Sequence, residues 1–165
     1  IMKKNKIFVA CDSTKISKVK QIIKQTKNSK IKVGYKFGLE FLNSKNGRNF
    51  LSKLKNKTTF ADLKLNDIPN TCVSVIKAIK DLKVNYLTIH INSGLETLKA
   101  CKKVSGKTKL IGVTVLTSLD NKALKEIGFN KNVKKLVLHQ ARLANKAKLD
   151  ALVCSAQEVN IVKKY

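Results

Sequence analysis

The chain has 165 residues, of which 35 are Lys or Arg and 10 are Asp or Glu, so its formal net charge is +25. A hydrophobic content of 43% is typical of one globular domain and excludes a disordered polymer. No apolar run approaches the ~18 residues of a membrane span, and residues 7–11 are too short a run for a signal-peptide core. We therefore expect no membrane association and a cytoplasmic location.

Short β-branched apolar runs alternate along the chain with segments of helical period. The predicted strands cover residues 7–11, 30–34, 58–63, 86–90, 109–115 and 151–154. The predicted helices cover residues 17–26, 69 to about 82, 95–104 and 132–147, the last with a periodic pattern of Val133, Leu136, Val137 and Gln140. Repeated strand–helix alternation predicts an α/β protein with a parallel sheet in one domain. The periodicity alone leaves an open doubly wound sheet and a β/α barrel as alternatives.

The positive charge is carried almost entirely by lysine, because Arg48 and Arg142 are the only arginines. Nucleic-acid readers depend on arginine for base edges and on aromatic rings for stacking, whereas aromatic residues are 5% of this chain. The lysines are also scattered along the sequence. We expect a solvated lysine surface and no nucleic-acid partner.

The four cysteines, Cys11, Cys72, Cys101 and Cys154, form no Cys-x-x-Cys pair and have no histidine at ligand spacing. This pattern supports neither a zinc site nor a disulfide framework, and it suits a reducing compartment. Neither glycine-rich nucleotide-binding motif occurs. The sequence therefore predicts no bound metal.

Charged residues fall at the ends of the predicted strands. Asp12 follows the first strand, Lys32 lies in the second, and Asp62 and Lys64 close the third, with Asp67 just beyond. The carboxyl ends of parallel strands share one rim, so these side chains are expected to converge there. Opposite charges ~4 Å apart interact by roughly 4 kcal/mol at an effective dielectric near 20, which would keep such a cluster together.

The segment from Phe60 to Thr71, Phe-Ala-Asp-Leu-Lys-Leu-Asn-Asp-Ile-Pro-Asn-Thr, resembles the signature of the orotidine 5′-phosphate decarboxylase family. Five supporting segments appear in the family's order, at residues 9–12, 31–34, 87–90, 112–118 and 153–158. The resemblance implies a (β/α)₈ TIM barrel that works as a homodimer, with its site at the carboxyl ends of the strands. It further implies conversion of orotidine 5′-monophosphate to uridine 5′-monophosphate, in pyrimidine biosynthesis, without metal or organic cofactor.

The resemblance also implies roles for individual residues. Lys64 would protonate carbon 6 of the pyrimidine, and Asp62 would face the departing carboxylate. Lys32 would link the ribose to Asp62, and Asp12 would hold a ribose hydroxyl. The remaining residues of the implied binding set are Asp67 and Thr71, reaching into the neighbouring subunit's site, Ile68, and Thr117 or Ser118 on the base, with Thr117 favoured.

Two features depart from the family pattern. Asn66 stands where the family often has His, and the family continues with two further βα units that carry its phosphate-gripping loop. We expect residues 1–165 to be a single β/α-barrel domain with about six βα units, a C-terminally truncated fragment that is poorly soluble or inactive alone.

Two alternatives remain at this point. A sugar-phosphate decarboxylase or synthase of the same barrel group would use the same charged rim, with a metal-binding acid beside it. A non-catalytic, basic nucleic-acid-binding module is the third reading, and it rests on the net charge alone.

Overall fold

Strands and helices alternate through residues 7–27 and 30–164, the part of the chain that the computed structural model describes. The strands are β1 Ile7–Ala10, β2 Val33–Gly38, β3 Thr58–Leu65, β4 Tyr86–His90, β5 Lys109–Val113 and β6 Ala151–Val153. The helices are α1 Ile16–Thr26, α2 Leu39–Leu42, α3 Gly47–Lys53, α4 Pro69–Ala78, α5 Gly94–Val104, α6 Asn121–Glu126, α7 Val133–Lys146 and α8 Val159–Val162. Short 3₁₀ turns lie at Lys80–Leu82, Ile91–Ser93 and Ala156–Glu158.

The six predicted strands and four predicted helices are confirmed, but the bounds of one strand lie further along the chain than predicted. The second strand was expected at residues 30–34, but β2 begins at Val33 and continues to Gly38. The helices α2, α3, α6 and α8 were not predicted, because four to seven residues are too few to show a helical period.

The strands form one six-stranded sheet in the order β1-β2-β3-β4-β5-β6, which is the chain order. The pairs β1–β2, β2–β3 and β5–β6 are parallel. Ala10 lies opposite Lys36, Gly38 opposite Asp62, and Gly112 opposite Leu152. Successive parallel strands joined through helices are the arrangement of a β/α barrel. The fold class is α/β, an incomplete TIM barrel with six strands.

The chain divides into two compact units. The first comprises Ile1–Leu63 and Ala78–Leu87. Its core includes an aromatic cluster in which the Phe8 ring packs edge-on against Phe60 and Tyr86, with centroids 5.2 Å apart in both pairs. Gly34 makes this packing possible, because a Cβ at that position would lie 2.6 Å from the Phe8 ring.

The second unit comprises Lys64–Lys77 and Thr88–Tyr165. The buried face of α7 follows the predicted pattern, with Leu136, Val137 and Gln140 each at most 5% exposed. Asp150 joins β5 to α5 because its carboxylate accepts the Leu110 amide and pairs with Lys102. Within the described residues, no helix has the length and apolar character needed to cross a bilayer.

Candidate active site

In the first unit, two charged residues follow the aromatic cluster along β2 and β3, toward the carboxyl ends of these strands. Lys36 follows Gly34 by two positions on β2, and Asp62 follows Phe60 by two positions on β3. Side chains two residues apart on a strand share a face. The aromatic layer is therefore succeeded, toward the carboxyl ends of these strands, by a layer that carries opposite charges.

Asp12, Lys36 and Asp62 form this layer, which we call the ion cluster. Lys36 Nζ lies 3.2 Å from Asp62 Oδ2 and 3.6 Å from Asp12 Oδ2. Asp62 is only 8% exposed, so its carboxylate depends on the Lys36 ammonium for its charge balance. Gly38 leaves room for the cluster, because a Cβ there would lie 3.0 Å from Asp12 Oδ1.

Cys11 lies beside the ion cluster and is fully buried. Burial raises the pKa of the Cys11 thiol to about 11, and the charge of Asp12 adds to the increase, whereas Lys36 opposes it. A thiol with this pKa stays protonated at neutral pH, so it is a poor nucleophile. Cys11 is therefore a small buried hydrophobe that closes one side of the cluster.

The structure does not bring Lys32 into the ion cluster, and Lys36 stands there instead. Lys32 precedes the first residue of β2, its side chain is exposed, and it lines an open cavity with Lys30, Asn56 and Lys57. Four residues along a strand separate it from Lys36 by roughly 13 Å. The sequence contains Lys-x-Gly twice, at residues 32–34 and 36–38, and we expected the lysine of the first copy at the site.

Lys64 follows Asp62 by two residues but departs from regular strand geometry. Its φ angle is 49°, in the left-handed region, which costs a residue with a side chain about 1–2 kcal/mol. The Lys64 amide donates a hydrogen bond to Thr88 Oγ1 over 2.8 Å. Nothing in the sequence indicates this backbone conformation, because lysine has no preference for it.

The other members of the predicted site lie in the second unit. Asp67, Ile68 and Thr71 are exposed, and Ile68 exposes 64% of its surface. Asp67 Oδ1 accepts the amide hydrogen of Ile68 over 2.7 Å, which fixes the turn into α4. Asn66, at the position where the family often has His, is exposed and lies with its Oδ1 3.3 Å from the Ser93 hydroxyl.

Thr117 and Ser118 are both exposed in the segment after β5. Thr117 lines an open cavity of about 540 Å³ together with Asn121, Ser155 and Gln157, whereas Ser118 is not among its lining residues. Across residues 7–27 and 30–164, no group of three or more His, Cys, Asp or Glu side chains is arranged to hold a metal ion.

A parallel sheet in chain order, with charged side chains toward the carboxyl ends of its strands, is the arrangement of a β/α-barrel enzyme. A sequence model of the orotidine 5′-phosphate decarboxylase / HUMPS family matches residues 5–165. The chain belongs to this family.

Relatives with assigned names agree with the family match. The chain is 41% identical over 163 residues to orotidine 5′-phosphate decarboxylase of a Wolbachia species from Brugia malayi, covering 96% of this chain and 71% of the relative. It is 44% identical over 134 residues to the Sphingopyxis alaskensis enzyme of the same name, covering 79% of this chain and 59% of that relative. The chain thus spans only part of the length of its relatives.

A solved structure supports the same fold. The crystal structure of orotidine 5′-phosphate decarboxylase from Lactobacillus acidophilus superposes with a TM-score of 0.86 at 28% sequence identity. The superposition covers 96% of this chain and 75% of that one.

Proposed function

We propose that this protein decarboxylates orotidine 5′-monophosphate to uridine 5′-monophosphate, as a carboxy-lyase of pyrimidine biosynthesis. The observation that carries the proposal is the ion cluster, in which the Lys36 ammonium pairs with two carboxylates, Asp12 and Asp62. On the same strand, Lys64 follows Asp62 in the spacing Asp-x-Lys-x-x-Asp. The names of the 41% and 44% identical relatives support the choice of substrate.

In the proposed mechanism, the bond between carbon 6 of the pyrimidine and its carboxylate breaks, and the electron pair stays on carbon 6. Carbon dioxide leaves, and the Lys64 ammonium delivers a proton to carbon 6. The lysine regains its proton from water. The buried Asp62 carboxylate opposes the substrate carboxylate in the ground state, and the Lys64 cation stabilises the carbanion that develops.

In this proposal, Lys36 has the role that the family resemblance implied for Lys32. Its ammonium would contact the ribose while pairing with Asp62, and Asp12 would accept a hydrogen bond from a ribose hydroxyl. Asp12 is suited to this because its side chain is half exposed while Asp62 is buried. Ile68 and Thr117 complete the proposed binding set, with Thr117 on the base.

We propose a homodimer in which Asp67 and Thr71 contribute to the partner subunit's site. Their exposure, and that of Ile68 between them, supports an interface at this turn. The test mixes two inactive variants, Lys64→Ala and Asp67→Ala, after subunit exchange. Equal mixing predicts about a quarter of the wild-type activity, because half the dimers are mixed and each holds one intact site. No recovery of activity would contradict the shared site.

The domain proposal is that residues 1–165 form one β/α-barrel domain without the last two βα units of the family. The six-stranded sheet and the 71% coverage of the Wolbachia relative support it. Open barrel edges expose unpaired backbone groups, so we expect residues 1–165 alone to be poorly soluble or inactive in the cytoplasm. Full activity of residues 1–165 on their own would refute this expectation.

The decisive experiment follows the loss of orotidine monophosphate absorbance in the protein extended by the family's last two βα units, and every variant named here and below is compared in this form. Lys64→Ala should abolish turnover while nucleotide binding is partly retained, and Lys53→Ala, at the end of α3, serves as the matched control. A chelator should leave the rate unchanged, which separates this reaction from a metal-assisted one. Turnover that survives Lys64→Ala would refute the proposal.

A further inference from the structure

Lys64 has a backbone conformation that its own side chain does not favour. Its φ angle of 49° is uncommon for a residue other than glycine, asparagine or aspartate. Such conformations persist where surrounding contacts hold them, and they concentrate at functional sites. One contact that holds this backbone is the 2.8 Å hydrogen bond from the Lys64 amide to Thr88 Oγ1.

Thr88 is placed to hold that amide rigidly. It lies at the middle of β4 with no exposed surface, between Leu87 and Ile89, which are also fully buried. Branching at Cβ restricts the χ1 angle of this buried side chain, which limits the positions open to its hydroxyl oxygen. In a regular parallel ladder an amide bonds to a strand carbonyl, whereas the Lys64 amide bonds to a side-chain oxygen.

We propose that Thr88 is the positioning residue for Lys64. Its hydroxyl holds the Lys64 amide and thereby the left-handed conformation that sets the direction of the Lys64 side chain. The inference rests on the proposed role of Lys64 as the proton donor. A donor displaced by about 1 Å loses about 100-fold in rate, so the hydroxyl is expected to affect turnover more than substrate binding.

The test compares Thr88→Val, which keeps the branched shape without the hydroxyl, with Thr88→Ser, which keeps the hydroxyl. Thr88→Val is expected to lower kcat by about 10- to 100-fold with KM changed by less than about threefold. Thr88→Ser should restore most of kcat. Hydrogen exchange at the Lys64 amide should be faster in Thr88→Val and protected in Thr88→Ser.

Thr59→Val is the matched control for removing a buried threonine hydroxyl. Thr59 is 4% exposed on β3, and its Oγ1 lies 3.4 Å from Asn85 Oδ1, at the opposite end of the strand from Lys64. This variant should keep the wild-type kcat. If Thr88→Val does not fold, Thr88→Cys takes its place, because a thiol is a weak acceptor and should give a kcat below that of Thr88→Ser.

Three results would overturn the inference while the wild-type protein remains active. They are an unchanged kcat in Thr88→Val, an equal loss in Thr88→Val and Thr88→Ser, and a Lys64 amide that stays protected in Thr88→Val. A wild-type protein without decarboxylase activity would instead refute the proposed function. The exchange measurement would then still decide whether Thr88 holds the Lys64 backbone.

Discussion

Replacing Lys36 by methionine should damage this protein, whereas the same replacement at Lys32 should not. Methionine keeps most of the apolar side chain and removes the ammonium. At an effective dielectric near 20, the 3.2 Å separation between Lys36 and Asp62 corresponds to an attraction of about 5 kcal/mol, part of which offsets desolvation. Removing one partner of a fully buried pair costs about 3–5 kcal/mol.

Lys36 is 27% exposed and Asp62 11% exposed at the side chain, so the expected loss in the free energy of unfolding is smaller. We expect about 2–4 kcal/mol for Lys36→Met, measured by urea denaturation at pH 7, and less than about 0.5 kcal/mol for the exposed Lys32→Met. Decarboxylation should fall by about 100-fold or more in the first variant and stay unchanged in the second. Equal effects of the two variants would refute the assignment of Lys36 to the ion cluster.

A double-mutant cycle separates the pairing from the loss of a lysine as such. Lys36→Met combined with Asp62→Asn should show a coupling energy of about 1.5–3 kcal/mol. The control pair, Arg48 and Asp81, is 2.7 Å apart but about half exposed on both sides, so its coupling should stay below about 1 kcal/mol. A coupling at Lys36 no larger than that of the control pair would show that burial adds nothing to the cluster.

Three further outcomes are expected. Gln140→Leu should change the free energy of unfolding by less than about 1 kcal/mol in thermal denaturation, because removal of the buried Oε1, which accepts no hydrogen bond from the described residues, offsets the loss of the Nε2 bond to Asn92 Oδ1. Burial raises the pKa of Cys11 to about 11 and of Cys101 to about 12 from 9.0, so stability should be intact below pH 9 and decline through pH 11–12, less steeply in Cys11→Ala. Added salt from 50 to 500 mM should lower kcat/KM by about 10-fold while kcat stays constant.

The sequence predicted the six strands and the four longest helices in chain order, because β-branched runs alternate with helical periods, whereas the choice of a barrel over an open sheet came from the family resemblance. The spacing of Asp62, Lys64 and Asp67 is read directly from the sequence and needs no knowledge of the fold. The second strand was predicted at residues 30–34, around the first of the two Lys-x-Gly copies in residues 30–38. The structure shows that the second copy lies at the ion cluster, because Gly38 pairs with Asp62 and lies against the Asp12 carboxylate.

Other features could not be predicted because they depend on contacts between distant segments. The left-handed conformation of Lys64 becomes acceptable when Thr88, 24 residues later, accepts its amide hydrogen. Nothing in the residues around Lys64 indicates such a bond. The burial of Gln140 was expected from the α7 pattern, but its bond to Asn92 Oδ1 is 48 residues away in sequence.

Electrostatics acts on two length scales in this protein, with opposite signs. The net charge of +25 attracts an anionic nucleotide over distances up to about 8 Å at physiological salt, which favours encounter. At a range of a few ångströms, Asp12 and Asp62 place two carboxylates at the Lys36 ammonium. The lysine surface therefore favours arrival of the substrate as a whole, and the cluster disfavours its carboxylate alone. Because the carboxylate is the group that leaves, this opposition is relieved as the reaction proceeds, which is the condition for a charge arrangement to accelerate a reaction rather than only bind its substrate.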